Sequence, residues 1–271
     1  MIITGSTRVF TILSHPSTHV TAPLIFNHLF SSMGLDMVYI AHDVLPGSVP
    51  HALKSFAGWE NLGGFNVTIP HKESVAGLLT DLCPVSRRIG VVNTVVRLPD
   101  GSLRGANTDG IGALLAIGPA GGASCLVMGA GGASRAIVHA LLEAGASKVL
   151  ILNRSPEGAR RLCALMGSEA VRPYAGDPLE EMDIVVQATP VSDAIPFRLD
   201  LSRFRPATRI LETIMRPTAL AEKARELGLR LIQGQAMLYH QTRENFRILT
   251  GLDLPQDALD SAFASIGYHR P

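Results

Sequence analysis

The sequence CLVMGAGGASRAIV occupies Cys125–Val138 and joins an apolar run to a glycine-rich turn and a helical pattern. The run Ser124–Met128 is short, apolar and bounded by glycine, which favours a buried strand. Gly129, Gly131 and Gly132 permit a tight turn that lets backbone N–H groups approach a phosphate at a helix N-terminus. In this strand–turn–helix context the pattern predicts a dinucleotide-binding site rather than a plain structural turn.

Strands and helices alternate on both sides of the glycine turn. A helix is predicted at Ser134–Ala144, and further apolar strands at Lys148–Leu152, Asp183–Gln187, Ile210–Ile214 and Leu229–Gln233. Apolar strands separated by helical segments indicate a parallel sheet covered on both faces. The first hundred residues repeat the alternation and end in a hairpin around Pro99–Gly101. The tail, Gln235–Leu249 and Pro255–Ile266, reads as two helices.

These patterns predict an α/β protein of two domains. We expect residues 1–110 to form an N-terminal α/β domain, onto which helices from residues 238–271 pack back. Residues 111–237 would form a C-terminal Rossmann-type dinucleotide-binding domain.

Composition excludes several classes of function. The chain has 24 basic and 23 acidic residues, so it has no charge excess to hold a nucleic acid or an anionic membrane. Residues 111–134 lack charge, but seven glycines and Pro119 break that stretch, which argues against a membrane span. No signal peptide is visible at the N-terminus. The cysteines, Cys83, Cys125 and Cys163, have no metal or disulfide spacing, and we expect buried thiols in the cytoplasm.

Three segments of the first domain carry polar side chains at predicted element ends. They are NVTIPHK at Asn66–Lys72, GVVNTV at Gly90–Val95 and GANTDG at Gly105–Gly110. A lysine, an asparagine and an aspartate from such ends could converge on a polyol. The same residue types are common in ordinary turns, so spacing alone leaves both interpretations open.

Together these motifs resemble the shikimate/quinate dehydrogenase family. NVTIPHK, GVVNTV, GANTDGIG, MGAGGASRAI, NRS and GQAMLYHQ occur in that family's order and spacing, between Arg8 and Gly251. The resemblance implies reversible, NAD(P)-dependent oxidation of a ring hydroxyl, shikimate to 3-dehydroshikimate or quinate to 3-dehydroquinate. It also makes the first domain the substrate-binding one.

The resemblance assigns roles residue by residue. Lys72 and Asp109 match the catalytic pair. Thr68, Asn93 and Gln241 match ligands of the substrate's hydroxyls and carboxylate. The residues that match the cofactor wall are Gly129, Ala130, Gly131, Gly132, Ala133, Asn153, Arg154, Thr189, Met215, Gly234, Met237 and Leu238.

The chain departs from the family pattern where the substrate carboxylate would bind. Two serines of the motif H-S-x-S-P are replaced by Val20 and Ala22, and a tyrosine facing the substrate is replaced by Met215. We therefore expect weak activity on shikimate and quinate, or a related cyclic polyol as the substrate. The alternatives are a cofactor-binding paralogue that has lost catalysis and a folate-type dehydrogenase of similar plan.

The residues around Arg154 bear on the choice between NAD and NADP. Arg154 favours the 2′-phosphate of NADP, whereas Glu157 opposes it and Gly158 supplies no second cation. The sequence leaves NAD and NADP open, with a slight lean to NAD. The histidine spacings predict no metal site, and the sequence leaves a homodimer open.

Overall fold

The computed structural model describes residues 2–270, and the chain folds into two compact units. One unit contains the residues up to Thr108 and those from Thr242 onward, and the other is Asp109–Gln241. The strands are β1 (Arg8–Ser14), β2 (Met37–Asp43), β3 (Leu62–Val67), β4 (Asp81–Leu82), β5 (Thr94–Arg97), β6 (Leu103–Ala106), β7 (Ser124–Met128), β8 (Lys148–Leu152), β9 (Val171–Pro173), β10 (Ile184–Gln187), β11 (Arg209–Glu212) and β12 (Arg230–Ile232). The helices are α1 (Ala22–Ser32), α2 (Val49–Ala57), α3 (Lys72–Leu78), α4 (Pro84–Ile89), α5 (Asp109–Ile117), α6 (Gly132–Glu143), α7 (Pro156–Met166), α8 (Ala219–Glu226), α9 (Gly234–Thr250) and α10 (Gln256–Ala264).

The first unit is built on a mixed sheet with the strand order β2-β1-β3-β5-β6-β4. β1 pairs in parallel with β2 and β3, and β5 runs antiparallel to β3 and β6. Aromatic side chains of β1, β2, α1 and α9 pack together, and Phe26 stacks on Tyr39 and Phe246. The end of the chain therefore completes the core of the unit in which the chain begins.

The second unit is a parallel sheet with the strand order β9-β8-β7-β10-β11-β12. This is the doubly wound order 3-2-1-4-5-6, with β7 as its first strand. Ligands of such sheets bind outside the carboxyl ends of the strands where the order reverses, here between β7 and β10. The glycine turn follows β7, and Thr189 follows β10, so both lie at that position.

The strands predicted around the glycine turn are confirmed, and the first unit differs in detail. The apolar run 90–98 predicts a strand that contains Asn93, but β5 begins at Thr94, so Asn93 lies just before the strand. Asp109, expected just before a helix, is the first residue of α5. Cys125 is buried, whereas Cys83 and Cys163 are only partly buried, and all three are free. Within residues 2–270, no helix is long and apolar enough to cross a membrane.

Candidate active site

Lys72 begins helix α3 and lies at the end of a turn that follows β3. The Thr68 N–H donates to the Leu13 carbonyl at 3.0 Å, which ties the start of this turn to the neighbouring strand β1. The Val92 N–H donates to the Lys72 carbonyl at 3.1 Å. The carbonyl of Lys72 is thus fixed by a backbone hydrogen bond, and the lysine is partly exposed.

Asn93 is buried and is hydrogen-bonded to Thr108 by both ends of its amide. Its Nδ2 donates to the Thr108 hydroxyl at 2.9 Å, and its Oδ1 accepts from the Thr108 N–H at 2.9 Å. These two bonds fix which way the amide faces. They also hold Thr108, the residue before Asp109, next to Asn93.

Asp109 is buried and accepts a hydrogen bond of 2.6 Å from the Nε2 of Gln241. The two residues lie on α5 and α9, and Gly112 allows these helices to approach closely. A Cβ at Gly112 would overlap the Cγ of Gln241 and lie 2.9 Å from the carbonyl oxygen of Met237. The third glycine of GANTDGIG is therefore a packing requirement of the Asp109–Gln241 pair.

Val20 and Ala22, which the motif resemblance aligns with a pair of serines, are partly exposed and offer no hydroxyl. Val20 ends a turn in which its N–H donates to the Ser17 carbonyl at 3.1 Å, and Ala22 begins α1. Asp43 anchors the same loop by accepting from the His15 ring at 2.8 Å and from the Ser17 N–H at 2.8 Å. The bond to His15 is the main reason why the pKa of Asp43 lies below its usual value.

The glycine turn leads directly into α6. Gly129 has φ +108°, and a Cβ there would lie 2.8 Å from the Ala188 carbonyl, so glycine is required. A Cβ at Gly131, the residue before α6, would meet nothing within 4 Å, so there is open space beside the N-terminus of this helix. Such space beside a helix N-terminus suits a pyrophosphate. The residues present therefore fit a dinucleotide.

The segment after β8 would meet the ribose of that dinucleotide. Ser155 caps α7 by accepting from the Gly158 N–H at 3.1 Å, and its hydroxyl donates to Glu157 at 3.1 Å. Hydrogen bonds from its own backbone and from Ser155 lower the pKa of Glu157, so an exposed negative charge lies close to Arg154 along the chain. Asn153 donates to the Ser155 carbonyl at 2.9 Å.

The turns after β10 and β11 are held by side chains that the sequence motifs do not assign as ligands. Gln187 accepts from the Thr189 N–H at 3.0 Å. Gln235 donates to the Met215 carbonyl at 3.0 Å. Gly234 lies so close to this turn that a Cβ would be 2.9 Å from the Thr213 carbonyl.

Glu212 is buried at the end of β11 and accepts from the Ile214 N–H at 3.0 Å and from the Thr218 hydroxyl at 2.7 Å. Burial raises its pKa. In the sequence, a glutamate at the end of an apolar strand is a signal that marks Glu212. The sequence does not show that the residue is buried or which groups bind it. Of the remaining predicted wall residues, Met237 is buried, and Leu238 is partly buried.

Segments of both units match models of known protein families. Residues 12–95 match the model of the shikimate dehydrogenase substrate binding domain, and residues 115–217 match that of shikimate / quinate 5-dehydrogenase. Shikimate dehydrogenase (NADP(+)) of Rubrobacter xylanophilus is 39% identical over 98% of each chain. Shikimate 5-dehydrogenase of Thermus thermophilus, solved with NADP(H) and shikimate, is 32% identical and covers 95% of this chain and 99% of its own, with a TM-score of 0.85.

A solved relative with a different printed activity is 5-ketofructose reductase of Gluconobacter. It is 28% identical and covers 96% of this chain and 99% of its own, with a TM-score of 0.83. The relatives support a nicotinamide dinucleotide as the cofactor, but they do not support the predicted lean to NAD, since the Rubrobacter protein is named for NADP(+). With two family models in order and a relative similar over nearly its whole length, the chain belongs to the shikimate/quinate dehydrogenase family.

Proposed function

We propose that this chain oxidises a secondary hydroxyl on a ring to a ketone with NAD or NADP, reversibly, and that shikimate and quinate are the first substrates to test. Residues 1–110 with 238–271 would bind the substrate, and residues 111–237 the cofactor. The buried Asp109 carboxylate, held by Gln241 at 2.6 Å, carries the proposal. A carboxylate is costly to bury, and its placement is typical of a site that must orient a polar group.

The proposed oxidation removes a hydride from the ring carbon and a proton from its hydroxyl. The bound dinucleotide supplies a hydride acceptor for the ring carbon that bears the hydroxyl. The Lys72 amine takes the single proton of the hydroxyl, and the Asp109 carboxylate accepts a hydrogen bond from that amine and orients it. Thr68, Asn93 and Gln241 contact the other hydroxyls of the ring. In the reverse direction, Lys72 returns the proton to the alkoxide oxygen.

The glycine turn and the turns after β8, β10 and β11 would hold the cofactor. The pyrophosphate would lie at the N-terminus of α6, where Gly131 leaves open space. Arg154 would contact the 2′-phosphate of NADP. Because the exposed Glu157 charge lies close to Arg154 along the chain, we propose a modest preference for NADP over NAD rather than a strong one.

Val20 and Ala22 favour a second candidate function within the same reaction type, the oxidation of a cyclic polyol without a carboxylate. A hydrogen bond to a charged group is worth about 1.5–3 kcal/mol, so two missing bonds weaken the binding of a ring acid about a hundredfold or more. The similarity to a reductase named for 5-ketofructose, a keto sugar, supports this candidate.

A substrate panel separates these candidates. Shikimate, quinate and carboxylate-free cyclic polyols are each assayed with NAD and NADP by the appearance of reduced nicotinamide. The variant Val20→Ser with Ala22→Ser is measured in parallel, and we expect its KM for shikimate to fall tenfold or more. An unchanged KM for shikimate would contradict the carboxylate argument. Cofactor binding without turnover on any member of the panel would favour the catalytically inactive alternative.

A further inference from the structure

The first unit contains a buried hydrogen-bonded network that the family motifs account for only in part. Its six polar side chains come from β2, β3, β5, α9 and the loops before β5 and α5, and none is more than 7% exposed. The members of this Asn245 network are Tyr39, Asn66, Asn93, Thr94, Thr108 and Asn245. Asn245 and Tyr39 lie outside the family motifs.

One arm of the network runs from β2 to α9. The Tyr39 hydroxyl donates to Asn66 Oδ1 at 2.7 Å, and Asn66 Nδ2 donates to the Thr94 hydroxyl at 3.0 Å. The Thr94 hydroxyl has one proton, and its shortest acceptor contact is Asn245 Oδ1 at 2.6 Å, against 2.9 Å to Asn93 Oδ1. Burial raises the pKa of Tyr39, so its phenol remains a donor.

The other arm runs from Asn93 to the same oxygen. The Thr108 hydroxyl accepts from Asn93 Nδ2 at 2.9 Å, so its own proton is directed to Asn245 Oδ1 at 2.8 Å. Thr108 also donates its N–H to Asn93 Oδ1. Asn245 Oδ1 is therefore the common acceptor of two threonine hydroxyls, and it sets the direction of both.

We propose that Asn245 is a positioning residue that fixes the orientation of the Asn93 amide and of the backbone at Thr108, immediately before Asp109. Without its oxygen, the Thr108 hydroxyl would turn its proton toward Asn93 Oδ1, which lies 3.3 Å away, and would no longer be a fixed acceptor for Nδ2. The amide could then rotate, and its contact with a ring hydroxyl would weaken. The catalytic consequence rests on the proposed function; the hydrogen-bond direction does not.

The kinetic test compares Asn245→Leu, which keeps the approximate size and removes the acceptor, with Asn245→Asp, which keeps an acceptor oxygen. For the best polyol of the substrate panel, we expect Asn245→Leu to raise KM about tenfold and to leave the KM for the dinucleotide within twofold. Asn245→Asp should recover most of the loss. The control Leu249→Val trims a buried side chain of α9 outside the network, and it should lower stability without changing the substrate KM.

Amide hydrogen exchange tests the same inference without activity. In Asn245→Leu, the Thr108 N–H should exchange at least tenfold faster, while the Val9 N–H, bonded to the Asn61 carbonyl, keeps its protection. If Asn245→Leu does not fold, Thr108→Val and Thr108→Ser replace it, and only the serine variant should keep the wild-type KM.

An unchanged substrate KM and unchanged Thr108 exchange in Asn245→Leu would overturn the inference, as would an equal rise in both KM values. If the wild type oxidises no polyol, the proposed function fails, and the exchange measurement alone then decides the role of Asn245.

Discussion

Gly112→Ala is the most direct perturbation of the Asp109–Gln241 pair, because it adds one methyl group between α5 and α9. The added Cβ would overlap Gln241 Cγ and lie 2.9 Å from the Met237 carbonyl oxygen. The carbonyl belongs to the helix backbone and cannot rotate away. Either the two helices separate or Gln241 leaves its rotamer, and both outcomes lengthen the 2.6 Å hydrogen bond to Asp109.

The magnitude follows from three opposing effects. Replacing a helical glycine with alanine stabilises a helix by about 1 kcal/mol. Overpacking a buried contact costs about 1–3 kcal/mol, and losing a hydrogen bond to a charged group costs about 1.5–3 kcal/mol. We expect a net loss of about 1.5–5 kcal/mol in the free energy of unfolding. If the lost hydrogen bond also orients Asp109 in the transition state, kcat/KM should fall about ten- to a hundredfold.

Urea denaturation and steady-state kinetics measure the two effects. The matched control is Gly77→Ala in α3, where an added Cβ meets nothing within 4 Å, so only the helix gain should remain. We expect Gly77→Ala to be at least as stable as the wild type. The reasoning is refuted if Gly112→Ala matches Gly77→Ala in stability, or if it keeps the wild-type kcat/KM.

Three further predictions concern single charged groups. Lys72→Ala and Lys72→Arg should both lose turnover while dinucleotide affinity stays within twofold, because arginine does not release its proton in proteins; near-normal kcat in either variant would exclude Lys72 as the base. Arg154→Gln should lower kcat/KM for NADP about tenfold and leave that for NAD unchanged, and an equal loss for both would remove the phosphate contact. Burial raises the pKa of Glu212, so the folded chain binds a proton on this carboxyl more tightly than the unfolded chain does. The free energy of unfolding therefore falls as the pH rises from near 4.5 through the folded pKa. Glu212→Gln should lack that fall in denaturation series across pH, and parallel curves for the two proteins would contradict the assignment.

The second unit was predictable from sequence because its signals are local. β7, β8, β10 and β11 are apolar runs bounded by turn residues, and Gly129 marks a backbone conformation that other residues avoid. The first unit was less predictable. Helix α4 has six residues, with a proline at its first position and Gly90 in the left-handed conformation at its end. Proline at the start and glycine after the end are a known helix signature. The apolar run 90–98 that follows predicts a longer strand than β5, which contains only Thr94–Arg97.

The residues of the candidate site also differ in how far the sequence predicts them. Lys72, Asn93 and Asp109 were found through motifs, whose residues are close in sequence. Asn245 lies outside every motif, and Gly112 lies inside GANTDGIG without its packing role being visible there. Both inferred roles depend on contacts with Thr94, Thr108 and Gln241, which are distant in the chain from the residues that they contact. An asparagine within an amphipathic helix gives the same pattern whether it faces a network or solvent.

Gly158 has a steric role that its sequence context does not reveal. Its lack of a cation argues for a weak phosphate contact, but the structure adds a steric reason for glycine. A Cβ there would lie 2.5 Å from Asn153 Nδ2, the atom that donates to the Ser155 carbonyl at the start of α7. A basic residue at 158 would displace Asn153 before it could reach a phosphate. We therefore expect Arg154 and Glu157, whose side chains are exposed, to set the cofactor preference. Arg154 can be exchanged without touching the cap of α7, whereas Glu157 accepts a hydrogen bond from the capping hydroxyl of Ser155.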